Sequence, residues 1–157
     1  MDKKDKIELL KTEYFKLQDY YESFDTKVQT VKGWSATVSI AAITVGFSYK
    51  NEFIWLFAAV TALMFWFMDA KWKFFQYCYA PRIVEIENAF TADNFDTIIP
   101  LQIYFSWFKE WKSGKLKLKK IFFMKIVMLP YAYTVAVCLL LFILKFFFAN
   151  IFWSPQH

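Results

Sequence analysis

The first 32 residues carry a regular apolar pattern. Between Ile7 and Val31, apolar residues recur at alternating spacings of three and four, surrounded by Lys, Glu and Asp. A 3.5-residue repeat over more than three heptads is typical of a helix that packs along one seam. We therefore predict a stalk helix over residues 1–32. The residues expected to be buried in this seam are Tyr14, Leu17, Tyr21 and Phe24. The seam packs either on another part of the same chain or on other subunits.

Three long runs without a charged residue follow, at residues 33–49, 53–68 and 126–144. As helices, the first two cover roughly 24–26 Å, slightly less than the roughly 30 Å hydrocarbon core of a bilayer. The seam stays in phase into the first run, so we predict one long helix, a tight turn at residues 50–52 and a second helix. We interpret all three runs as membrane spans. The alternative for the first two is a pair of buried core helices in a soluble protein.

Small residues distinguish the first predicted span from the second. They form two neighbouring stripes at helical spacing: Ser35, Ser39, Ala42 and Gly46, and Thr37, Ala41, Thr44 and Ser48. The structural interpretation is that small residues let helices approach closely. The functional interpretation is that several copies line a narrow pore, because hydroxyls can replace lost hydration. The pore-lining candidates are then Ser35, Ser39, Ala42, Gly46, Thr37 and Thr44. The second span is bulky, rich in Phe, Trp and Met, and suited to lipid contact.

A helical apolar pattern continues after Asp69. We predict that this helix returns antiparallel to the stalk and is kinked at Pro81. Arg82 with Glu85, and Lys73 with Asp69, have the spacing of ion pairs on one helix face.

Residues 91–100 break the helical pattern and predict a loop. The apolar face that follows, between Leu101 and Trp111, predicts a short helix lying in the membrane interface with its aromatic rings at headgroup depth. The alternative is a cytosolic helix that packs on the rest of the protein.

Lysines cluster before the third run, at Lys115, Lys117, Lys119, Lys120 and Lys125. Such a cluster near a membrane usually attracts anionic lipid headgroups. The alternative is a site for an anionic ligand or nucleic acid. Lys145, near the end of the third span, either extends to the interface or faces a hydrated cavity.

Composition and charge agree with a membrane protein. Of the 157 residues, 58% are hydrophobic and 23% aromatic, whereas soluble domains average roughly 45–50% apolar residues. The formal net charge is +5, and 17 of the 19 Lys and Arg residues lie in residues 1–32 and 70–125. The positive-inside rule makes that side cytoplasmic, with the turn at residues 50–52 and the C-terminus outside. We predict a multi-pass protein of the inner (plasma) membrane with a cytoplasmic N-terminus.

The predicted fold is therefore an all-α integral membrane protein in which a long N-terminal cytosolic stalk helix continues into a two-span hairpin. A cytosolic helix, an interfacial helix and a third transmembrane helix follow. The predicted segments are the stalk (1–32), the hairpin (33–69), the cytosolic and interfacial helices (70–120) and the third transmembrane helix (121–153).

Groups that could support catalysis or bind a metal are scarce. Cys78 and Cys138 lie in different predicted environments, so we expect no disulfide, and the sole histidine is His157. We interpret Asp93 and Asp96 as solvated loop residues. No catalytic motif is present, and three glycines do not suffice for a phosphate-binding loop. We expect no enzyme activity, no metal site and no cofactor.

Two stretches carry a local likeness to a known family: residues 31–37 (Val-Lys-Gly-Trp-Ser-Ala-Thr) and 65–73 (Phe-Trp-Phe-Met-Asp-Ala-Lys-Trp-Lys). Together with the long amphipathic helix, the tight hairpin and the following helix, they resemble the SLATT-type bacterial membrane effectors over roughly residues 5–95. That family is linked to prokaryotic conflict systems and is thought to form membrane pores when a nucleotide-based sensor fires. The resemblance implies an anti-phage effector with a cytosolic sensor or nucleotide-type trigger. The third span and the lysine-rich linker depart from the family's layout.

Two functions fit these features. The first is a homo-oligomeric channel or pore-forming effector gated through the cytosolic helices, because one chain with three spans is too small to enclose a pathway. The second is a membrane-anchored scaffold or regulatory subunit that holds a cytosolic partner on its stalk. Membrane lipids are expected partners of either, and nucleic acid is not.

Overall fold

The computed structural model describes residues 2–152, and the side chains of residues 2–147. In this part of the chain every regular element is an α-helix, which confirms the all-α class. The helices are α1 (Lys3–Ser48), α2 (Phe53–Tyr77), α3 (Ala80–Thr91), α4 (Ile103–Ser113), α5 (Leu118–Phe122) and α6 (Lys125–Phe152).

Helix α1 is continuous over 46 residues, as the in-phase seam predicts. It ends at the predicted turn, where Lys50 adopts a left-handed backbone conformation with a φ of 52°. The Asn51 side-chain oxygen accepts a hydrogen bond from the Phe53 amide at 3.1 Å. This bond satisfies an amide at the start of α2 that has no partner within the helix.

The helix after Asp69 is broken near Pro81 and not merely kinked. Helix α2 ends at Tyr77, and Pro81 lies in the first turn of α3. Proline lacks an amide hydrogen and its ring clashes with the preceding turn, so it is tolerated at a helix start but not in the interior.

Helix α4 starts at Ile103, slightly later than the predicted start at Leu101. Leu101 has a φ of 63°, which is incompatible with a right-handed helix. Gly114 ends α4 with a φ of 66°, a conformation that glycine adopts without steric cost.

The helices form two compact units. The polar unit comprises the described residues up to Val28 together with Lys71–Ile121. The apolar unit comprises Gln29–Ala70 and the described residues from Phe122 onward. Helix α1 contributes residues to both units.

The core of the polar unit forms where the α1 seam packs on the same chain. Its buried residues are Leu10, Leu17, Ile83, Ile86, Ala89, Phe95 and Ile98. They come from α1, α3 and the loop after α3, so the stalk packs within the chain.

The core of the apolar unit joins α1, α2 and α6. Its buried residues are Trp55, Ala58, Ala59 and Cys138, against which Ala42, Ile43, Val135 and Leu141 pack. The second apolar run was predicted to be suited to lipid contact, but its Trp55 and Trp66 are buried within the chain, at 1% and 8% exposed. Phe57 and Met64 of the same helix are exposed.

Two helical stretches of the described residues are long and apolar enough to cross a membrane, judged by length and composition. They are Phe53–Thr91 and Lys125–Phe147. Residues 33–49, the first predicted span, form the end of α1 but do not meet that criterion. The predicted end of the third span at Trp153, and the predicted outside position of the C-terminus, lie outside the described residues.

Candidate functional site

A buried polar cluster joins three helices inside the apolar unit. Asp69 of α2 is fully buried, and its carboxylate oxygen Oδ2 lies 3.7 Å from Nζ of Lys32 in α1. The same lysine nitrogen donates a hydrogen bond to the backbone oxygen of Ile126 in α6, at 3.0 Å. One lysine side chain therefore links α1, α2 and α6.

Proline explains why the Ile126 oxygen is available to Lys32. In an α-helix the carbonyl of residue i accepts from the amide of residue i+4. For Ile126 that residue is Pro130, which lies inside α6 and has no amide hydrogen. The Lys32 ammonium thus supplies the donor that α6 itself lacks, at the first turns of α6.

Aromatic side chains surround this cluster, which we call the Asp69 cluster (Lys32, Asp69, Ile126 and Tyr131). Tyr131 is 1% exposed, and its hydroxyl lies near the Asp69 carboxylate. Trp66, one turn before Asp69, donates from its indole nitrogen to the Phe122 oxygen at 2.8 Å. Its ring stacks on that of Phe122 at a centroid distance of 4.3 Å. Because Asp69 is fully buried whereas Lys32 keeps some exposure, the pair matters most for compensating the carboxylate charge.

The pairing of Asp69 with Lys73 that the spacing suggested is wrong. Lys73 instead pairs with Asp25 of α1, with its nitrogen 2.9 Å from Oδ1. A spacing of four favours contact along one helix, but Asp69 is on the buried face whereas Lys73 reaches across to α1.

A second ion pair lies at the other end of the apolar unit. Lys145 of α6 and Glu52, in the turn before α2, approach to 3.0 Å. Their side chains are 11% and 26% exposed. Lys145 therefore pairs with a carboxylate of the same chain, and its extension to the interface stays a prediction.

Small residues of the first stripe permit close contact between α1 and α2. Ser35, Ser39 and Gly46 are buried, and Ala42 is partly buried. The Trp55 ring lies directly on Gly46, and its indole nitrogen donates to the Ile43 oxygen at 3.2 Å. Within the chain, this stripe therefore serves helix packing.

The second stripe, of Thr37, Ala41, Thr44 and Ser48, is exposed. At 100° per residue it lies on the side of α1 opposite the packed stripe, so the prediction that the two stripes are neighbours is wrong. Each hydroxyl donates to the carbonyl four residues earlier: Thr37 to Gly33 at 3.0 Å, Thr44 to Ile40 at 2.9 Å and Ser48 to Thr44 at 3.0 Å. The hydroxyl protons are used locally, so the oxygen lone pairs that face outward remain available as acceptors.

The polar unit contains its own buried ion pair, between Glu13 of α1 and Arg82 of α3. The Arg82 Nε donates to Glu13 Oε1 at 2.9 Å, and its Nη2 donates to Oε2 at 3.1 Å. Their side chains are 0% and 3% exposed. The predicted pair of Arg82 with Glu85 is present at 2.9 Å, but it is the outer part of this arrangement.

The same pair holds the loop before α4. The Leu101 amide donates to Glu13 at 2.7 Å, and Arg82 donates to the Ile99 oxygen at 2.7 Å. The left-handed Leu101 backbone is therefore held in place by a buried carboxylate. Breaking any bond of this buried network would leave a polar group without a partner, which is costly in free energy. The network therefore makes this part of the polar unit rigid.

The predicted seam residues lie along the α1 core of the polar unit. Leu17 is fully buried and Phe24 is 9% exposed, whereas Tyr14 and Tyr21 are partly buried. The Tyr14 hydroxyl donates to Glu87 at 3.0 Å. Burial raises the pKa of the Tyr21 hydroxyl above its usual value, and the opposing effect of nearby Lys73 is smaller. The aromatic seam residues thus bury part or all of their rings, and the Tyr14 hydroxyl keeps a polar partner.

Sequence reasoning missed the two buried acidic residues, although a signal was present. Glu13 lies three residues after Leu10 and four before Leu17, on the seam face itself. Asp69 lies three residues after Trp66, on the packed face of α2. A charged residue at helical spacing within an apolar face indicates a buried partner elsewhere.

Groups for chemistry are sparse in the part of the chain that the structure describes. No cluster of His, Cys, Asp and Glu there could hold a metal ion. Cys78 and Cys138 are both free and buried. In the predicted loop, Asp93 lies 3.7 Å from Lys3 in an exposed ion pair. The lysines of the cluster before α6 (Lys115, Lys117, Lys119, Lys120 and Lys125) are all exposed.

No protein-family model matches the chain, and neither the curated proteins nor the solved structures include one with significant similarity to it. The resemblance to SLATT-type effectors therefore stays a prediction.

Proposed function

We propose that the chain is a subunit of an oligomeric membrane channel or pore-forming effector. The two long apolar helices support membrane insertion. In a soluble protein such helices would be buried. In Lys125–Phe147, however, only 17% of the most apolar stretch is buried by the rest of the structure. Large side chains such as Phe57, Leu140 and Phe147 are exposed. Apolar surface of this extent normally marks a membrane or a protein interface.

The exposed small-residue stripe of α1 is the observation that carries the proposal. Its members are Thr37, Ala41, Thr44 and Ser48, and large exposed residues such as Ile40 and Phe47 flank it. A face of hydroxyl acceptors bordered by apolar side chains suits a helix that meets its copies around a shared axis. Of the predicted pore-lining residues, Thr37 and Thr44 are the ones that remain accessible to such an axis.

In this proposal, residues 33–49 form a third span beside the two longer ones. The excess of Lys and Arg in residues 1–32 and 70–125 orients the N-terminus toward the cytoplasm. A cysteine at Asn51 should then react with an impermeant reagent added outside intact cells, and one at Asp93 should not. The reverse pattern would invert the orientation.

Gating through the cytosolic helices is part of the proposal. Helix α1 contributes residues to both units without a break in the helix, so in this proposal it is the covalent path from the polar unit to the stripe. The SLATT-type resemblance extends the proposal to prokaryotic anti-phage defence, with a cytosolic sensor or nucleotide-type signal as the trigger.

Ion flux through the purified protein in liposomes tests this function. Two matched variants place the same bulky residue on exposed alanines of different helices: Ala41→Trp on the α1 stripe and Ala136→Trp on α6. We expect Ala41→Trp to lower flux per assembled oligomer at least tenfold, because it blocks the axis, and Ala136→Trp to leave flux nearly unchanged.

The oligomeric state in detergent provides a second criterion. A monomer, or equal flux in the two tryptophan variants, would contradict the channel with α1 at its axis. Complete absence of flux in the wild-type protein would favour the scaffold.

A membrane-anchored scaffold is the second candidate, and a groove on the polar unit favours it. The groove has a volume of about 670 Å³, and its lining includes Phe15, Phe90 and Lys11. Phe15 is 65% exposed. A partner held there would be released by Phe15→Asp, whereas the channel hypothesis predicts unchanged flux for that variant.

A further inference from the structure

We infer that α4 and the lysines after it form a docking surface for an anionic lipid bilayer. We call this surface the α4 surface: the outer face of α4 with Lys109, Lys112, Lys115, Lys117, Lys119 and Lys120. The inference rests on the membrane insertion of α6 in the proposed function, but not on the formation of a pore.

One face of α4 is used to hold the helix on the polar unit. The Trp107 indole nitrogen donates to the Phe75 oxygen at 3.1 Å. The Trp107 ring lies 5.8 Å from the Phe75 ring and 6.2 Å from the Tyr79 ring, between centroids. Helix α4 is therefore held on the polar unit through Trp107, and the Trp111 ring stacks on that of Trp107 at a centroid distance of 6.1 Å.

The adjoining side of α4 presents large aromatic rings to the outside. Tyr104 is 73% exposed, Phe105 64%, Phe108 37% and Trp111 46%. The Phe108 ring lies 6.0 Å from that of Tyr104 and 5.5 Å from that of Trp111. Four neighbouring aromatic side chains on one short helix are an unusual solvent-facing surface. Tyr and Trp concentrate at the headgroup level of membranes, and Phe is common on the apolar face of helices that lie in the interface.

Unneutralised positive charge lies along the same segment. Lys109 and Lys112 border the aromatic face, and the four remaining lysines follow before α6. All six are exposed. Within the described residues, none of the six forms a salt bridge. The surface thus combines apolar rings with a net positive charge that the chain does not compensate, which is the composition of helices that bind anionic bilayers.

The covalent chain favours a bilayer over other anionic partners. Lys120 precedes Lys125, the first residue of α6, by five residues, and Lys115 precedes it by ten. Ten residues reach at most roughly 35 Å even when fully extended. If α6 crosses a membrane, these lysines lie near its surface, where anionic lipids provide a high local density of negative charge.

An environment-sensitive fluorophore on the full-length protein in vesicles tests the inference. Cys78 and Cys138 are 1% and 0% exposed, so a thiol reagent should label an added exposed cysteine selectively. The probe position is Phe108→Cys on the outer face of α4. Leu140→Cys on the exposed side of α6 reports membrane insertion, and Glu22→Cys on exposed α1 reports the aqueous polar unit.

The lipid and the salt concentration are then varied. In vesicles containing phosphatidylglycerol at low salt, we expect the Phe108→Cys probe to shift to blue emission, and the Glu22→Cys probe to stay in water. The shift should be much smaller in pure phosphatidylcholine, which has no net charge. It should also be smaller at high salt, because the attraction between charges then acts only over less than about 8–10 Å. Replacing Lys115, Lys117, Lys119 and Lys120 by Gln should weaken docking by roughly fivefold per lysine.

The controls separate the possible failures. Suppose that the Leu140→Cys probe reports lipid whereas the Phe108→Cys probe reports water in vesicles of every composition. This result would overturn the α4 surface but not the membrane insertion of α6. A Leu140→Cys probe in water would overturn the membrane insertion on which both proposals rest. A Phe108→Cys shift that follows protein density and not lipid charge would assign the surface to a second copy of the chain. A shift that appears only with an added oligonucleotide would assign it to nucleic acid, and either result would overturn the inference.

Discussion

The indole ring of Trp55 occupies the space where a side chain at Gly46 would lie. A Cβ atom at Gly46 would be 2.6 Å from Cδ1 and 2.8 Å from Cε2 of the ring. The backbone of α1 can therefore approach α2 only because position 46 has no side chain. This contact explains why the first small-residue stripe of α1 faces its own chain and leaves the second stripe outward.

The contrast between Gly46 and Gly33 gives a matched stability test. Both are inside α1, but nothing lies within 4 Å of a Cβ atom at Gly33. Gly33→Ala should raise the free energy of unfolding by roughly 0.5–1 kcal/mol, because alanine is the better helix former. Gly46→Ala should be about 1–3 kcal/mol less stable than Gly33→Ala, since it forces the Trp55 ring aside. Unfolding in detergent measures both, and equal stability of the two variants would contradict the Gly46–Trp55 contact.

The Asp69 cluster predicts a strong dependence on Lys32. Lys32→Met should lower the free energy of unfolding by about 3–5 kcal/mol, because a buried carboxylate loses its counter-ion. Adding Asp69→Leu should recover much of that loss, although the Ile126 oxygen still lacks its donor. Lys4→Met, at an exposed position of α1, serves as the control and should change stability by no more than about 0.5 kcal/mol. A double variant no more stable than Lys32→Met alone would argue against the pair.

The Glu13–Arg82 pair predicts a similar result for the polar unit. Arg82→Met should cost about 3–5 kcal/mol, because it leaves the Glu13 carboxylate buried and unpaired. The Glu85 side chain, the outer partner of the same guanidinium, is 53% exposed. Glu85→Gln should therefore lower the free energy of unfolding by at most about 1 kcal/mol. Proteolysis at residues 99–101 should become faster in Arg82→Met only. Equal stability of the two variants would show that the buried pair is not the main support of this loop.

Periodicity along the chain determined which segments are helical. The in-phase seam predicted a continuous α1, and the polar residues 50–52 predicted its turn. These features could be predicted because helix formation and capping depend on residues within a few positions of one another. The break at Pro81 was underestimated, although the rule that places proline in the first turn of a helix is also local.

The partners of the buried charges were decided only by the tertiary structure. The spacing of charges along α2 suggested Lys73 as the partner of Asp69, yet Lys32, far away in sequence, approaches it and binds the carbonyl that Pro130 leaves free. Glu13 and Arg82 are 69 positions apart. The period of a helix defines its faces but not the element that packs on each face. Sequence by itself therefore determined the helices and their apolar sides, whereas the choice among ion pairs, and between the two stripes of α1, depended on side-chain shape and burial where helices meet.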